Sequence, residues 1–260
     1  MAIKRINRTY RGKQTHSYTI DGQRADGVTT VMSKALPKPA LTYWSAKCVA
    51  EYVVDHFDDT ADIVGSLSRD KAIAELKGVP WSQRDEAAAT GTEVHDLAER
   101  LVKGEEVEVP EPLTGFVDSY IRFLDEWKPR PVLVEATVAS RKWMVAGTLD
   151  LVADLPNGRR ALMDLKTGKG VYPDVALQLA AYRYAEVYLD ANGHEKSMES
   201  LGIQDVYVVH VRPERYEVRT VDAGPNAFKV FTHLVWLSRR IGDEMKPWLG
   251  EPQLPMGGAQ

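Results

Sequence analysis

The stretch GTLDLVADLPNGRRALMDLKTG, residues 147–168, limits what this chain can fold into more than any other. Two largely apolar, alternating runs flank Pro156-Asn157-Gly158, which predicts a tight β-hairpin. The register of that hairpin decides where its charges go, because successive side chains of a strand point to opposite faces. A two-residue Asn157-Gly158 loop would pair Asp150 with Leu165 and separate Asp150 from Asp164. A three-residue loop, Pro156-Asn157-Gly158, pairs Asp150 with Asp164. Proline suits the second position of a type I turn and lacks the N–H that a ladder position needs, and glycine suits the left-handed residue that follows. The longer loop also sorts the side chains. It predicts an apolar face of Leu149, Leu151, Ala153, Ala161, Met163 and Leu165, and a polar face of Asp150, Asp154, Arg160, Asp164 and Lys166, with Asp154 opposite Arg160.

Two carboxylates and a lysine then converge. Like charges at such range repel, and one acid protonates unless a cation lies between them. Lys166 can relieve this in part as a plain salt bridge. It is one charge facing two, however, and hard oxygen donors of this kind also suit Mg²⁺ or Mn²⁺ with water completing the shell. Both readings stand at this point.

The rest of the chain reads as α/β. HSYTIDGQRADGVTTVM is expected to form a short hairpin, followed by a helix near residues 41–56. A turn-rich passage then precedes a short helix at SRDKAIAELK, with Ser68 as its N-cap. In GTEVHDLAERLVKG, Val94, Leu97, Ala98, Leu101 and Val102 mark one buried helical face. Thr90 and Glu93 suit a capping box, unless the alanines before them continue a longer helix. PVLVEATVA, WMVAGTLDLVADL and RRALMDLKTG read as strands, VALQLAAYRYAEVYLD as a helix, and IQDVYVVHVRPERYEVRTV as a second hairpin. A closing helix is expected over about 226–248. This order predicts a mixed sheet flanked by helices. With 260 residues, 44% of them hydrophobic, the chain can bury the core of one large domain or of two small ones, and a single domain is the expectation. Its expected parts are an N-terminal hairpin and helical lead-in (1–85), a core (86–222), a C-terminal helix (223–248) and a flexible tail (249–260).

Cys48 is the single cysteine, which excludes an intrachain disulfide and any all-cysteine metal cluster. No apolar run approaches a membrane span, and MAIKRINRTYRGK lacks the apolar stretch of a signal peptide, so a cytoplasmic location is expected. A net charge of -4 carries no global signal for nucleic acid. Basic residues nevertheless cluster, first as Lys4, Arg5, Arg8, Arg11, Lys13 and Arg24, then as Arg159, Arg160, Lys166 and Lys169 around the hairpin. Solvated surface charge is the ordinary reading of either group.

GTLDLVAD, MDLKTG and QLAAY, taken together with the helical Gly91 and His95, resemble the PD-(D/E)XK nuclease superfamily, in particular its RecB-like exonuclease branch with phage and prophage members. That branch carries G-x-x-x-H on a helix, G-x-x-D on a strand, D/E-x-K on the next, and Q-x-x-x-Y on a further helix. Here these are Gly91 and His95, Gly147 and Asp150, Asp164 and Lys166, and Gln178 and Tyr182. Leu149 stands where the motif's proline would be, and Asp164 replaces the commoner glutamate. The resemblance spans about residues 86–190 and implies a restriction-endonuclease-like core.

The implied ligands of Mg²⁺ or Mn²⁺ are Asp150, Asp164, His95 and the Leu165 carbonyl, with Glu135 as a further acid. Lys166 would position or activate the attacking water, and Gln178 and Tyr182 would organise the site and touch DNA. Lys169 and Arg160, together with Arg141 and Lys142, are candidate phosphate contacts, and Trp143, Tyr172, Tyr182 and Tyr184 are candidate stacking surfaces. Relatives with an iron–sulfur cluster use four cysteines, so no such cluster is expected here. The implied activity is exonucleolytic hydrolysis at linear duplex or single-stranded DNA ends in recombination, repair or phage DNA processing, in the host cytoplasm if the chain is phage-encoded. A recombination partner protein and oligomerisation would be in keeping with it. The alternatives are a structure-specific endonuclease and an inactive descendant that binds DNA or protein.

Overall fold

The computed structural model describes residues 2–10, 13–241 and 245–252, with side chains for all of these except 8–10 and 13–14. The chain begins as an antiparallel hairpin of β1 (Ile3–Tyr10) and β2 (Lys13–Ile20). It returns into β3 (Gln23–Gly27) through Asp21-Gly22, both at positive φ, as a two-residue Asp-Gly turn requires. The expected hairpin is therefore present but ends sooner, because Val28–Ala35 coils as α1. Val28, Val31, Met32 and Ala35 recur at helical spacing and are all buried, and that burial outweighs the β-branched composition of VTTV.

Helices α2 (Pro39–Asp55), α3 (Phe57–Ser66) and α4 (Arg69–Val102) follow. The passage expected to be turn-rich is thus α3, whose Asp58 and Asp59 lie in the first turn, where the helix dipole favours negative charge. SRDKAIAELK is the start of the 34-residue α4, not a separate short helix. Ser68 holds the N-cap position without a side-chain cap bond. No capping box forms at Thr90, because the alanines before it continue the helix and its hydroxyl donates to the Glu86 carbonyl at 3.1 Å.

Beyond α5 (Thr114–Trp127) come β4 (Arg130–Ser140), β5 (Val145–Asp154) and β6 (Arg160–Lys166), then α6 (Val175–Arg183). The helix expected through residue 190 stops at Arg183. Val187–Leu189 instead forms β7, which pairs with Val138 and Ala139 of β4 and with β8 (Glu195–Ser197). Pairing with a distant strand overrides local helix propensity here. The second hairpin is β9 (Asp205–Val211) and β10 (Tyr216–Thr220), and α7 (Pro225–Ser238) closes the fold. The closing helix is shorter than expected, with Lys246–Trp248 as a separate 3₁₀ turn. Most of the expected tail lies outside the described residues.

All ten strands join one mixed sheet. One layer of core packs α1, α6 and α7 against it through Leu149, Val152, Leu162, Leu179 and Phe231. The opposite layer packs α4 and α5 through Val94, Leu97, Phe123, Leu151, Met163 and Leu165. The protein is therefore α/β, with helices on both faces of a curled sheet. No helix among the described residues is long and apolar enough to cross a membrane.

Candidate active site

The hairpin register is the one that Pro156-Asn157-Gly158 predicts. Asp154 pairs with Arg160, Ala153 with Ala161 and Leu151 with Met163. Gly158 takes φ 79, and Leu155 and Arg159 close the loop through a backbone bond of 2.9 Å. Beyond Leu151 the ladder stops, because one edge of β5 is shared. β6 pairs with Leu151–Asp154, whereas β3 pairs in parallel with Val145 and Ala146. Residues 147–150 lie in the fork between them. Asp150 fills part of this gap by accepting the Leu165 N–H at Oδ2, 2.7 Å away, where a strand carbonyl would otherwise stand.

The face sorting holds only as far as this fork. Leu151, Ala153, Ala161, Met163 and Leu165 share one core layer as expected, but Leu149 lies in the opposite layer with Val152 and Leu162. The cause is visible across β4. Its ladder to β5 omits the pair Glu135 and Asp150, and Glu135 has φ 50, a left-handed backbone in the middle of a strand. That rotation advances the pleat by one residue and frees both acids from the regular alternation. Backbone held in a sparsely populated region is costly and concentrates at functional sites.

Helix α4 brings the imidazole. His95 Nδ1 lies 3.7 Å from Asp150 Oδ2, and one ligand atom each from His95, Glu135 and Asp150 falls within 4.8 Å of the others. Gly91, one turn earlier, lets the helix approach β6: a Cβ there would meet Thr167 Oγ1 at 3.3 Å. Neither Glu135 nor Asp150 has a Lys or Arg ion-pair partner among the described residues. Burial, reinforced by the Asp150 charge, pushes the Glu135 carboxyl up to about 8. An imidazole and two crowded carboxylates without a Lys or Arg partner fit a divalent ion, whose charge would offset both the burial and the neighbouring Asp150 charge that push the Glu135 carboxyl up.

Asp164 belongs to a second, adjoining group. It is 1% exposed, its Oδ1 accepts from Gln178 Nε2 at 3.0 Å, and its Oδ2 lies 2.6 Å from Lys166 Nζ. That contact is a charge contact, since Oδ2 makes no aligned hydrogen bond. Burial holds Asp164 above the ordinary carboxylate range even though Lys166 draws it down. For Lys166, burial acts to lower the pKa, but Asp164 and Asp150 outweigh it and keep the ammonium charged. Lys166 Nζ also donates to Gln178 Oε1 at 3.4 Å, and Gln178 Nε2 lies 3.2 Å from the Tyr182 hydroxyl. Tyr182 packs on Gly147 so closely that a Cβ at residue 147 would stand 2.6 Å from its Cε1. Four of the expected ligand residues thus meet, but as His95, Glu135 and Asp150 in one cluster and Asp164 beside it. At Leu165 the backbone group in contact with the cluster is the amide N–H.

The expected phosphate contacts do not gather here. Arg160 pairs with Asp154 at 2.7 Å and with the Leu201 carbonyl at 3.0 Å, at the turn end of the hairpin. Arg159 is bound by Asp205 and Arg141 by Asp21 and Glu195. Lys142 lies over the Trp143 ring, and Lys169 is exposed on the loop after β6, its carbonyl accepting from Arg212. Among the stacking candidates, Tyr182 is buried, Tyr184 stacks on Phe228 and Trp143 packs against the core, which leaves Tyr172 at 66% exposure.

Sequence reasoning passed over the N-terminal strands. The Tyr18 hydroxyl meets Thr148 Oγ1 at 2.9 Å inside the fork, and Arg5 lines the same groove as His95, Glu135 and Asp150. The basic N-terminal cluster was the available signal, but its charges read equally well as surface.

No protein-family model matches the chain, and no curated protein does. Among solved structures, it is similar to one described as the crystal structure of SSO0001, with 12% identity and a TM-score of 0.32. That match covers 49% of this chain and 58% of the other, so this chain spans less than two thirds of its neighbour's length.

Proposed function

We propose that this protein is a divalent-cation-dependent nuclease that hydrolyses DNA phosphodiester bonds, acting at DNA ends. The observation that carries this reading is the placement of a half-buried, charged lysine beside a His–Glu–Asp cluster that has no Lys or Arg ion-pair partner among the described residues, in a groove of about 1260 Å³. His95, Glu135 and Asp150 would hold the ion, with Asp164 bordering it. A bound Mg²⁺ or Mn²⁺ supplies polarisation of a phosphoryl oxygen and a more acidic bound water.

The remaining work falls to the chain's own side chains. Lys166 is fixed by Asp164 and Gln178, yet its side chain is 33% exposed, so its charge faces the groove and can stabilise an anionic phosphoryl oxygen or orient the attacking water. Gln178 positions the site through its bonds to Asp164 and Lys166, and Tyr182 acts through Gln178. Glu135, whose carboxyl burial pushes up, would give up its proton to hold an ion, which would couple occupancy to pH.

The test is incubation of end-labelled linear DNA and closed circular DNA with Mg²⁺, Mn²⁺ or EDTA. Loss of linear ends alone supports the exonuclease reading, and nicking of circles points to an endonuclease. Lys166→Ala should lower the metal-dependent rate about 10²–10³-fold. An equal rate in the variant, or no metal-dependent loss in the wild type, overturns the proposal.

A further inference from the structure

We propose that the β1–β2 hairpin is an arm that clamps a single polynucleotide strand over the site, with Arg5 as its phosphate contact; this rests on the nuclease reading above. The hairpin register carries the argument. Strand β3 pairs with only Tyr18, Thr19 and Ile20 of β2, while β1 and β2 continue together to Tyr10 and Lys13. The paired residues Ile3 and Ile20, with Tyr18 and Ala25, bury one face of this ribbon against Ala139 and Ala146 of the main sheet. Because that face repeats every second residue, the same side carries Arg5 opposite Tyr18, the last β2 residue that β3 pairs, and Asn7 opposite His16, just beyond that pairing. Arg5, Asn7 and His16 are exposed and, with the buried Tyr18, line the groove over the acids.

Charge complements the placement. The Arg5 guanidinium is near enough for its field to reach Glu135 and Asp96, yet it has no ion-pair partner among the described residues. Lys34, on α1 across the groove, has none either. The two arginines expected as phosphate contacts, Arg141 and Arg160, are by contrast held by carboxylates of the chain. Unpaired cations above a cluster of acids are what a polyanion needs where it approaches a bound metal ion.

Size and shape indicate the occupant. The groove's volume of about 1260 Å³ exceeds the roughly 300–1,000 Å³ of small-molecule pockets, which suits a polymer segment. Arm, α1 and α4 wall it on three sides, with Glu135 and Asp150 part-buried at its floor and Arg5 exposed at its rim. A phosphate must descend between these walls to reach the acids. One strand separated from its complement can do this, whereas an intact duplex carries its second strand into a wall.

The experiment measures fluorescence anisotropy of a labelled single-stranded oligothymidylate with hydrolysis-resistant phosphorothioate linkages, and of a blunt closed-hairpin duplex, both in Mg²⁺ and across a salt series. The expected result is tighter binding of the single strand. Arg5→Ala should weaken it about tenfold and make the slope of log affinity against log salt shallower by about 0.7, the amount for one lost phosphate contact on a single strand. Arg5→Lys should restore most of that slope, and Lys34→Ala should reproduce the loss if Arg5→Ala folds poorly. Lys196→Ala, the same charge change on the distant β8, should bind as wild type. Unchanged affinity and slope in both Arg5→Ala and Lys34→Ala, or tighter binding of the closed duplex, overturns the clamp while leaving metal-dependent cutting intact. Failure of the wild type both to bind and to cut overturns the nuclease reading, and the clamp with it.

Discussion

Replacing Glu135 with Gln in the cation-free protein is expected to remove a pH dependence of stability that the wild-type chain carries. Burial, with the Asp150 charge beside it, raises the Glu135 carboxyl from 4.5 to about 8. Between those values the folded state binds more protons than the unfolded chain. The associated stability is therefore fully present below about pH 4.5 and is lost as the pH rises through about 8. At about 1.4 kcal/mol for each tenfold change in proton affinity, the whole span is worth about 5 kcal/mol, and water in the groove lowers the expected loss to about 3 kcal/mol. Gln keeps the shape of the side chain but has no charge to desolvate. Glu135→Gln should match the wild type near pH 5 and exceed it by about 3 kcal/mol near pH 8. Urea unfolding in EDTA across this range measures the difference directly. Parallel profiles for the two proteins would refute the reasoning, because Glu135 would then ionise in the folded state as freely as in the unfolded one.

Mn²⁺ added near neutral pH should raise the melting temperature and release protons, read by calorimetry in two buffers of different ionisation enthalpy; Asp150→Asn should lose most of the rise. Gly147→Ala places a Cβ 2.6 Å from Tyr182 Cε1, so the ring must move and stability should fall by about 1–3 kcal/mol in thermal unfolding. Tyr18→Phe removes the hydroxyl that meets Thr148 and should cost about 1 kcal/mol, with faster amide exchange in the β2–β3 segment as the arm loosens.

The hairpin was legible because its determinants are local. Proline and glycine at fixed offsets select one loop, the loop selects the register, and the register sets Asp154 against Arg160 and brings Asp150 beside the strand of Asp164. The helical face of Val94, Leu97 and Ala98 was legible for the same reason, since it repeats within a few residues. Where α6 ends was not legible, because Val187–Leu189 is held as a strand by residues some fifty positions earlier in β4. The charges behaved alike. Arg160 could be paired from the register, but the capture of Arg159 by Asp205 and of Arg141 by Asp21 and Glu195 depends on distant partners.

By itself, then, the sequence determined the bend that sets two acidic strands side by side and the helix that carries His95. Tertiary structure decided the rest: that β5 shares an edge between β3 and β6, that the pleat slips at Glu135 and Asp150, and that an N-terminal ribbon hangs over the opening. Local chain stiffness and turn geometry act over a few residues and can be read in order. The pairing of strand edges and the burial of charge depend on which remote segments meet, and only the folded chain brings them together.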